Sequence, residues 1–406
     1  MYCMRGCLIV LISLFASAES FGQLALPSGI TLYAGGNLDF ASFSTISGGS
    51  VVAGGDVRHT GGVLTVDQIF GAGGFTADGP AFQNSSPAFQ NSSGPVVFNG
   101  DILELGGPGS VFDGPISSLQ GSIDFRDTSS TINGDVLATG SIEFEFVFGT
   151  INGNVVASGP VNIEATVNGT VNSGIPIDLT PYTLPPLPAG RGLTAGTNDI
   201  DLAAFQDITL APGTYGVLNF GLSNTVTLTA GSYVFENIVS ETPINELNFD
   251  TSAGNIDLYI AANDFVFDDL SQEINGQSFF LNGSPDPILS NNIFIETAGN
   301  LTIGTEVFGT FFAPNGDVTL DNFSDITGRV FAGGNVTVNN VDICMTPDLS
   351  VLLGDCDLDG AVSFLDIAPF IAVLTSDGYL SQADCDLNCV VDFLDIAPFI
   401  AILSGS

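Results

Sequence analysis

The sequence predicts a mostly β protein: a parallel β-solenoid (β-helix) of about 19-residue coils, followed by a small α-helical domain. Three observations carry that prediction. Short motifs recur at a nineteen-residue interval, apolar and polar residues alternate between them, and the C-terminus holds a second duplication with an offset of 29.

Residues 1–18 read as a secretion signal. Arg5 gives a positive start, Cys7 to Ala16 is an apolar run broken only by Ser13, and Ala16-Ser17-Ala18 fits the small-x-small cleavage pattern. The run is too short for a membrane span, which needs ~20 apolar residues, and no later stretch approaches that length. The expectation is a secreted chain, extracellular or at the cell surface, that starts at Glu19 after cleavage.

Beyond residue 18 the chain keeps all 44 Asp and Glu, but its only cationic side chains of the Lys/Arg type are Arg58, Arg126, Arg191 and Arg329. That balance excludes nucleic acid and anionic lipid as partners, since Lys and Arg hold their phosphates. It favours cations. Disorder is excluded as well, because 45% of residues are hydrophobic against 12% charged. Such a chain has enough apolar surface to offset ordering entropy.

The repeat defines the first element, a solenoid over residues 24–172. Ala34-Gly35-Gly36-Asn37-Leu38 returns nineteen residues on as Ala53-Gly54-Gly55-Asp56-Val57 and again as Ala72-Gly73-Gly74-Phe75. Thr131-Ile132-Asn133-Gly134-Asp135-Val136 returns at Thr150 with the same offset. A seven-residue tandem copy, Pro80 to Ser86 and Pro87 to Ser93, interrupts the period and reads as a loop bulging from one coil. Between the turns, Ile142, Phe144 and Phe146 alternate with Glu143 and Glu145, the period of a strand. The Gly-Asn and Gly-Asp pairs supply turn residues that tolerate positive φ. One such unit cannot bury its apolar face alone, whereas stacked coils ~4.8 Å apart can.

Residues 173–200 form a connector. Pro176, Pro181, Pro185, Pro186 and Pro188 remove ladder donors and favour extended chain. The repeat then resumes over 201–343, where Phe312-Ala313 and Phe331-Ala332 lie nineteen apart, each followed by a Gly-Asp-Val-Thr or Gly-Asn-Val-Thr turn. A second solenoid region follows from that spacing.

The last element spans 353–404. Asp355, Asp357, Asp359, Gly360, Ala361, Ser363 and Asp366 fall at positions 1, 3, 5, 6, 7, 9 and 12 of a twelve-residue calcium loop. The motif returns with Asp384, Asp386, Asn388, Val390, Asp392 and Asp395, but Cys389 replaces the turn glycine. Each loop leads into a nearly identical segment, Ile367 to Leu374 and Ile396 to Leu403, with Pro369 and Pro398 in the first turn. Ile367, Phe370, Ile371 and Leu374 define the expected buried stripe.

These paired half EF-hands, each a loop and a helix, resemble the type I dockerin of cellulosomal proteins. The resemblance implies Ca2+ as the cofactor, held by Asp355, Asp357, Asp359, Ala361, Ser363 and Asp366 in one site and by Asp384, Asp386, Asn388, Val390, Asp392 and Asp395 in the other. It also implies a cohesin-like or other surface or scaffold protein as partner, and neighbouring modules that often act on polysaccharide. The repeat body resembles bactofilin-like solenoids and glycine-rich bacterial surface proteins, through its pattern of turns and strands.

The remaining candidates are weaker. Cys344, Cys356, Cys385 and Cys389 suggest two disulfides in an exported chain, and proximity in sequence favours Cys344–Cys356 and Cys385–Cys389. The lone His59 reads as a solvated turn residue, and Glu143 and Glu145 as a solvated pair. The favoured function is a non-catalytic structural or adhesive solenoid. The alternative is a polysaccharide-degrading enzyme with a β-helix domain, which the scarcity of cationic residues and the absence of Trp disfavour. An ice-binding face would need a Thr-x-Thr ladder, and Thr225 to Thr229 has no nineteen-residue echo.

Overall fold

Alternation sets the direction of every side chain in the repeat strands. In Val136–Ala138 and Val155–Ala157 the outer residues of each triplet are fully buried and the middle one faces outward. A computed structural model describes residues 26–404 apart from 78–88, 92–93, 104–109, 126–128, 146–148, 241, 243, 263, 277–286, 322–323, 345–351, 358–359, 376–381 and 387–390. The fold is a parallel β-solenoid of about 14 turns with a small helical segment near the C-terminus.

Each turn contributes strands to three faces. One face is an 11-stranded sheet continued by a 3-stranded one, and a 4-stranded sheet starts the second. A 20-stranded sheet supplies the rest, because strands such as Ser44–Ala53 and Asp325–Ala332 turn the corner between two faces. Inside lies a single apolar core in which Phe112 and Phe125 meet edge to face, 5.4 Å between centroids, and Phe125 and Phe144 pack at 5.2 Å. The duplicated segment also takes part: Phe89–Asn91 pairs with Leu64–Val66 on one side and Val111–Phe112 on the other.

The turns do not stack in sequence order. Residues 30–173 stack outward from the middle of the rod to one end, and residues 200–344 return from the other end to the middle. The seam is a composite turn. Val336–Val338 and Asp342–Cys344 come from the later region, and Ile30–Ala34 completes the same turn from the earlier one. Leu32 to Ala34 pair with Val330 to Ala332 on one side and with Val51 to Ala53 on the other. Both repeat regions are therefore one solenoid, joined at a place about three hundred residues apart in the chain.

The proline-rich segment makes that order workable. Ile177 N donates to Ser158 Oγ (2.9 Å) near one end of the rod, and Arg191 N donates to Glu296 Oε1 (2.6 Å) towards the other. Nine inter-turn steps separate those anchors. Nine steps of ~4.8 Å make about 43 Å, and fourteen residues of polyproline chain at ~3.1 Å each span about 43 Å. The prolines thus hold a strap at the extension the return path needs. It covers an outward apolar row: Tyr182, Leu184 and Leu187 pack on Tyr33, Val52, Phe294, Phe312 and Phe331. Tyr182 stacks on Phe70 at 5.2 Å, and Tyr33 Oη donates to the Pro185 carbonyl (2.8 Å).

The Gly-Asx turns work differently from the expectation. Gly36, Gly55, Gly134 and Gly153 are not in the left-handed region. Glycine is needed there because the turns touch: a Cβ on Gly153 would overlap the carbonyl of Gly134, one turn away. The Asx side chains form a ladder instead. Asp317 Oδ1 accepts from Asn335 N (2.7 Å), Asn335 Oδ1 from Asn37 N (2.9 Å), and Asn37 Oδ1 from Asp56 N (3.0 Å). This ladder crosses the seam without a break.

His59 is a correction. It is 2% exposed, faces the core beside Phe40 in strand Val57–His59, and Nε2–H donates to the Gly61 carbonyl at 2.8 Å. Burial lowers its pKa from 6.5, and the Gly61 bond offsets that only in part. With the folded value below the unfolded one, the unfolded chain takes up a proton first as pH falls. The stability His59 contributes as a neutral ring is thus complete above pH 6.5 and declines below it, by at most about 1.4 kcal/mol per pH unit. His59→Leu removes that slope. In chemical denaturation, the gap between wild type and variant should be flat above about pH 7 and move against the wild type towards about pH 5. A gap independent of pH would show that the ring is not buried neutral.

Candidate metal centre

The C-terminal loops build two matching acidic centres. In the first, Gly360 takes φ 88°, the left-handed turn that the sixth position requires, and its N–H donates to Asp355 Oδ2 (2.9 Å). Ser363 caps the short 3-10 helix Phe364–Asp366: its Oγ accepts from Leu365 N (3.1 Å), and Asp366 Oδ2 accepts from Ser363 N (2.7 Å). Asp366 Oδ1 accepts from Asp357 N (3.0 Å), which ties the loop's end to its beginning. Helix Ile367–Leu374 follows directly.

The second loop repeats this design with an aspartate as the cap. Asp392 Oδ1 accepts from Leu394 N (2.6 Å), while Asp395 accepts from Asp392 N (2.8 Å) and Asp386 N (3.0 Å) before helix Ile396–Ser404. Asp355, Asp357 and Asp366 bring carboxylate oxygens within 4.8 Å of one another, and so do Asp384, Asp386 and Asp395. Asp366, Asp384 and Asp395 are fully buried. Burial raises the pKa of Asp366, but backbone N–H groups, led by that of Ser363, outweigh it and hold the carboxyl below its ordinary value. Residues 344–406 contain no Lys, Arg or His, so no cationic side chain of the segment can balance these charges. An oxygen-only donor set of this kind suits a hard cation.

Among the expected ligands, Ala361 and Ser363 sit on the first loop and Asp392 on the second, while Asp359, Asn388 and Val390 lie outside the described residues. The expected helix stripe is corrected. Phe370 is buried against Phe399 (4.1 Å between stacked rings) and Leu374 packs beside it, but Ile367 and Ile371 are exposed. The helix core face is Phe370, Val373 and Leu374, with Phe399, Ile402 and Leu403 opposite. Phe364, Leu365, Phe393 and Leu394 are 64–80% exposed, the same Phe-Leu pair in each repeat.

The expected disulfides are corrected too. Cys344 is disulfide-bonded, but Cys356 and Cys385 are free, buried thiols. Neither Cys344–Cys356 nor Cys385–Cys389 therefore exists, and the partner of Cys344 lies outside the described residues. Proximity in sequence misled because Cys356 is buried in the tail's core, in one cluster with Cys385. Burial pushes both free thiols up to about 12, helped by neighbouring aspartates at Cys356 and by the Cys356 thiol and then aspartates at Cys385.

On the solenoid, a cavity of about 540 Å³ opens at the seam, lined in part by Phe43, Thr45, Thr65, Glu306, Asp325 and Asp342. Asp325, Asp342, Thr45 and Thr65 stand in one row across successive turns. Burial raises the pKa of Glu306 and of Asp325, and the next carboxylate adds to it. Glu143 and Glu145 are exposed, as expected. Threonine rows exist that the sequence reading missed: Thr302, Thr319 and Thr337 align, as do Thr131, Thr150 and Thr166. Each is one threonine wide.

No protein family and no curated protein matches the sequence. Among solved structures, the chain is similar to a possible adhesin C-terminal domain from Caldicellulosiruptor kronotskyensis at 12% identity, over 80% of this chain and 95% of that one, with a TM-score of 0.21. It is also similar to an ice binding protein from an Antarctic bacterium Flavobacteriaceae at 12% identity, over 80% of this chain and 98% of that one, with a TM-score of 0.24. The fold rests on the strand register above, and neither likeness carries an argument about function. Among the described residues, no helix is long and apolar enough to cross a membrane.

Proposed function

We propose that the chain is an exported structural or adhesive rod, extracellular or at the cell surface, tethered through a calcium-binding, dockerin-like C-terminal module. One observation carries the reading. Two equivalent loops each gather three carboxylates within 4.8 Å, in a segment with no cationic side chain. Bound calcium would supply the charge that holds those oxygens together. Asp355, Asp357, Asp359, Ala361, Ser363 and Asp366 would hold one ion, and Asp384, Asp386, Asn388, Val390, Asp392 and Asp395 the other.

The exposed Phe364-Leu365 and Phe393-Leu394 pairs support docking on a second protein, since the repeat presents the same apolar contact twice. The partner class is a cohesin-like or other scaffold protein. The solenoid of about 14 turns is then the displayed body, roughly 65 Å long at ~4.8 Å per turn. We read it as non-catalytic. Asp325 and Asp342 line one row along one wall, whereas a glycosidase sets its carboxylates on either side of the scissile bond.

The test uses the full chain and a panel of purified cohesin modules on a biosensor, with calcium and then with EDTA. Calcium-dependent binding that Leu365→Glu with Leu394→Glu weakens at least tenfold is the expected result. Binding unaffected by EDTA, or no binding to any module, would overturn the docking reading.

A further inference from the structure

Cys356 and Cys385 occupy the second position of the two acidic loops, and both are buried free thiols in one small core with Phe370, Ala383 and Phe399. The contacts that bring them together are between protein atoms. The Gln382 carbonyl accepts the Gly354 N–H at 2.8 Å, and the Cys385 thiol lies 3.6 Å from that same carbonyl. The strand of chain leading into the first loop therefore lies against the chain leading into the second. Beside them Phe370 and Phe399, which hold equal positions in the two repeats, stack with ring centroids 4.1 Å apart and planes parallel at 0°. Cys356 and Cys385 also hold equal positions in the two repeats, and both are buried in that same cluster.

We propose that Cys356 and Cys385 are a disulfide-forming pair that covalently joins the two loops. The oxidant is a low-molecular-weight disulfide. One protein thiolate attacks a sulfur of the oxidant, forming a mixed disulfide and releasing one small thiol. The second protein thiolate then displaces the other half. The two cysteines together lose two electrons and two protons, and the oxidant leaves as two thiols. The reaction runs while the loops are open, because the folded core shields both sulfurs. The bond closes the chain between residues 356 and 385 and removes open states of the unfolded tail. The oxidised tail keeps its loops together without a cation, and the reduced tail depends on one. The export proposed above sets where the oxidant is met; the pairing stands or falls on packing alone.

The full chain, with the Cys344 bond intact and Cys356 and Cys385 reduced, is incubated in EDTA with oxidised glutathione. It is then alkylated, digested without reduction and mapped by mass spectrometry. The expected result is a linked peptide joining Cys356 to Cys385. Tryptic sites are absent from the tail, so cleavage there is followed with chymotrypsin in EDTA, and the oxidised form should be cut at least tenfold more slowly. Cys356→Ser should leave Cys385 as a glutathione adduct and abolish the protection. Alkylated cysteines at both positions, glutathione adducts on both in the wild type, or linkage to other cysteines would overturn the proposal. Calcium binding with no such link would leave the metal reading standing and this one refuted.

Discussion

Glu296→Ala should lower the unfolding free energy by about 3–5 kcal/mol, the cost of leaving one partner of a buried ion pair without the other. Glu296 is 0% exposed and takes both the backbone N–H and the Nε–H of Arg191, each at 2.6 Å. The guanidinium also lies over the Phe294 ring, 5.1 Å from its centroid, with Asp257 3.9 Å away. Removing the carboxylate leaves a buried cation with only the more distant Asp257, and its Nη2 has no hydrogen-bond partner among the described residues. The effect reaches beyond the pair, because Arg191 fastens the strap that links the two ends of the rod. Denaturant unfolding should show the loss, and limited proteolysis should show cleavage within 174–199. Arg191→Met with Glu296→Leu should recover most of the stability, since apolar replacement of a buried pair is close to neutral. A single variant within about 1 kcal/mol of wild type would show that the pair does not hold the strap.

The second large effect concerns the tail. With calcium at a hundred times its dissociation constant, a site that binds only the folded state adds about 2.7 kcal/mol. Asp366→Asn should remove that increment for the first loop while leaving one hydrogen-bonding oxygen in place of the two that now accept from Asp357 N and Ser363 N. Calorimetric titration of the full chain is expected to fall from two calcium ions to one, and Asp366→Asn with Asp395→Asn to none. The solenoid transition should not move, because among the described residues the tail's small core shares no buried residue with the main one. Calcium binding that survives the double variant would place the ions elsewhere and sink the assignment.

Local pattern was enough for much of this molecule. The nineteen-residue offset, the inward Val and Ile of Val136–Ala138 and Val155–Ala157, and the duplicated acidic loops all follow from neighbours in the chain. Such features repeat at short range, and strand alternation or a turn glycine needs no knowledge of what lies three hundred residues away. The loops were legible for the same reason: Asp355, Asp357 and Asp366 converge because one twelve-residue turn and its capping box place them.

What only the tertiary structure decided is non-local. The composite turn depends on Leu32 meeting Val330, a pairing that no periodicity indicates because every repeat offers a compatible edge. The strap's prolines signal extension, but its path is set by where Asn99, Tyr33 and Glu296 wait along the rod. His59 looked like a surface residue because it follows Arg58 near a turn, yet its register with Phe40 points it inward. Cys344 and Cys356 are close in sequence but not bonded to each other, and Cys356 is instead buried in the tail's core with Cys385. Sequence alone determined the kinds of element and the direction of their side chains, because those are properties of adjacent residues. Which turn stacks on which was left to packing across the whole chain, where many near-identical edges compete and only the complete set of contacts selects one order.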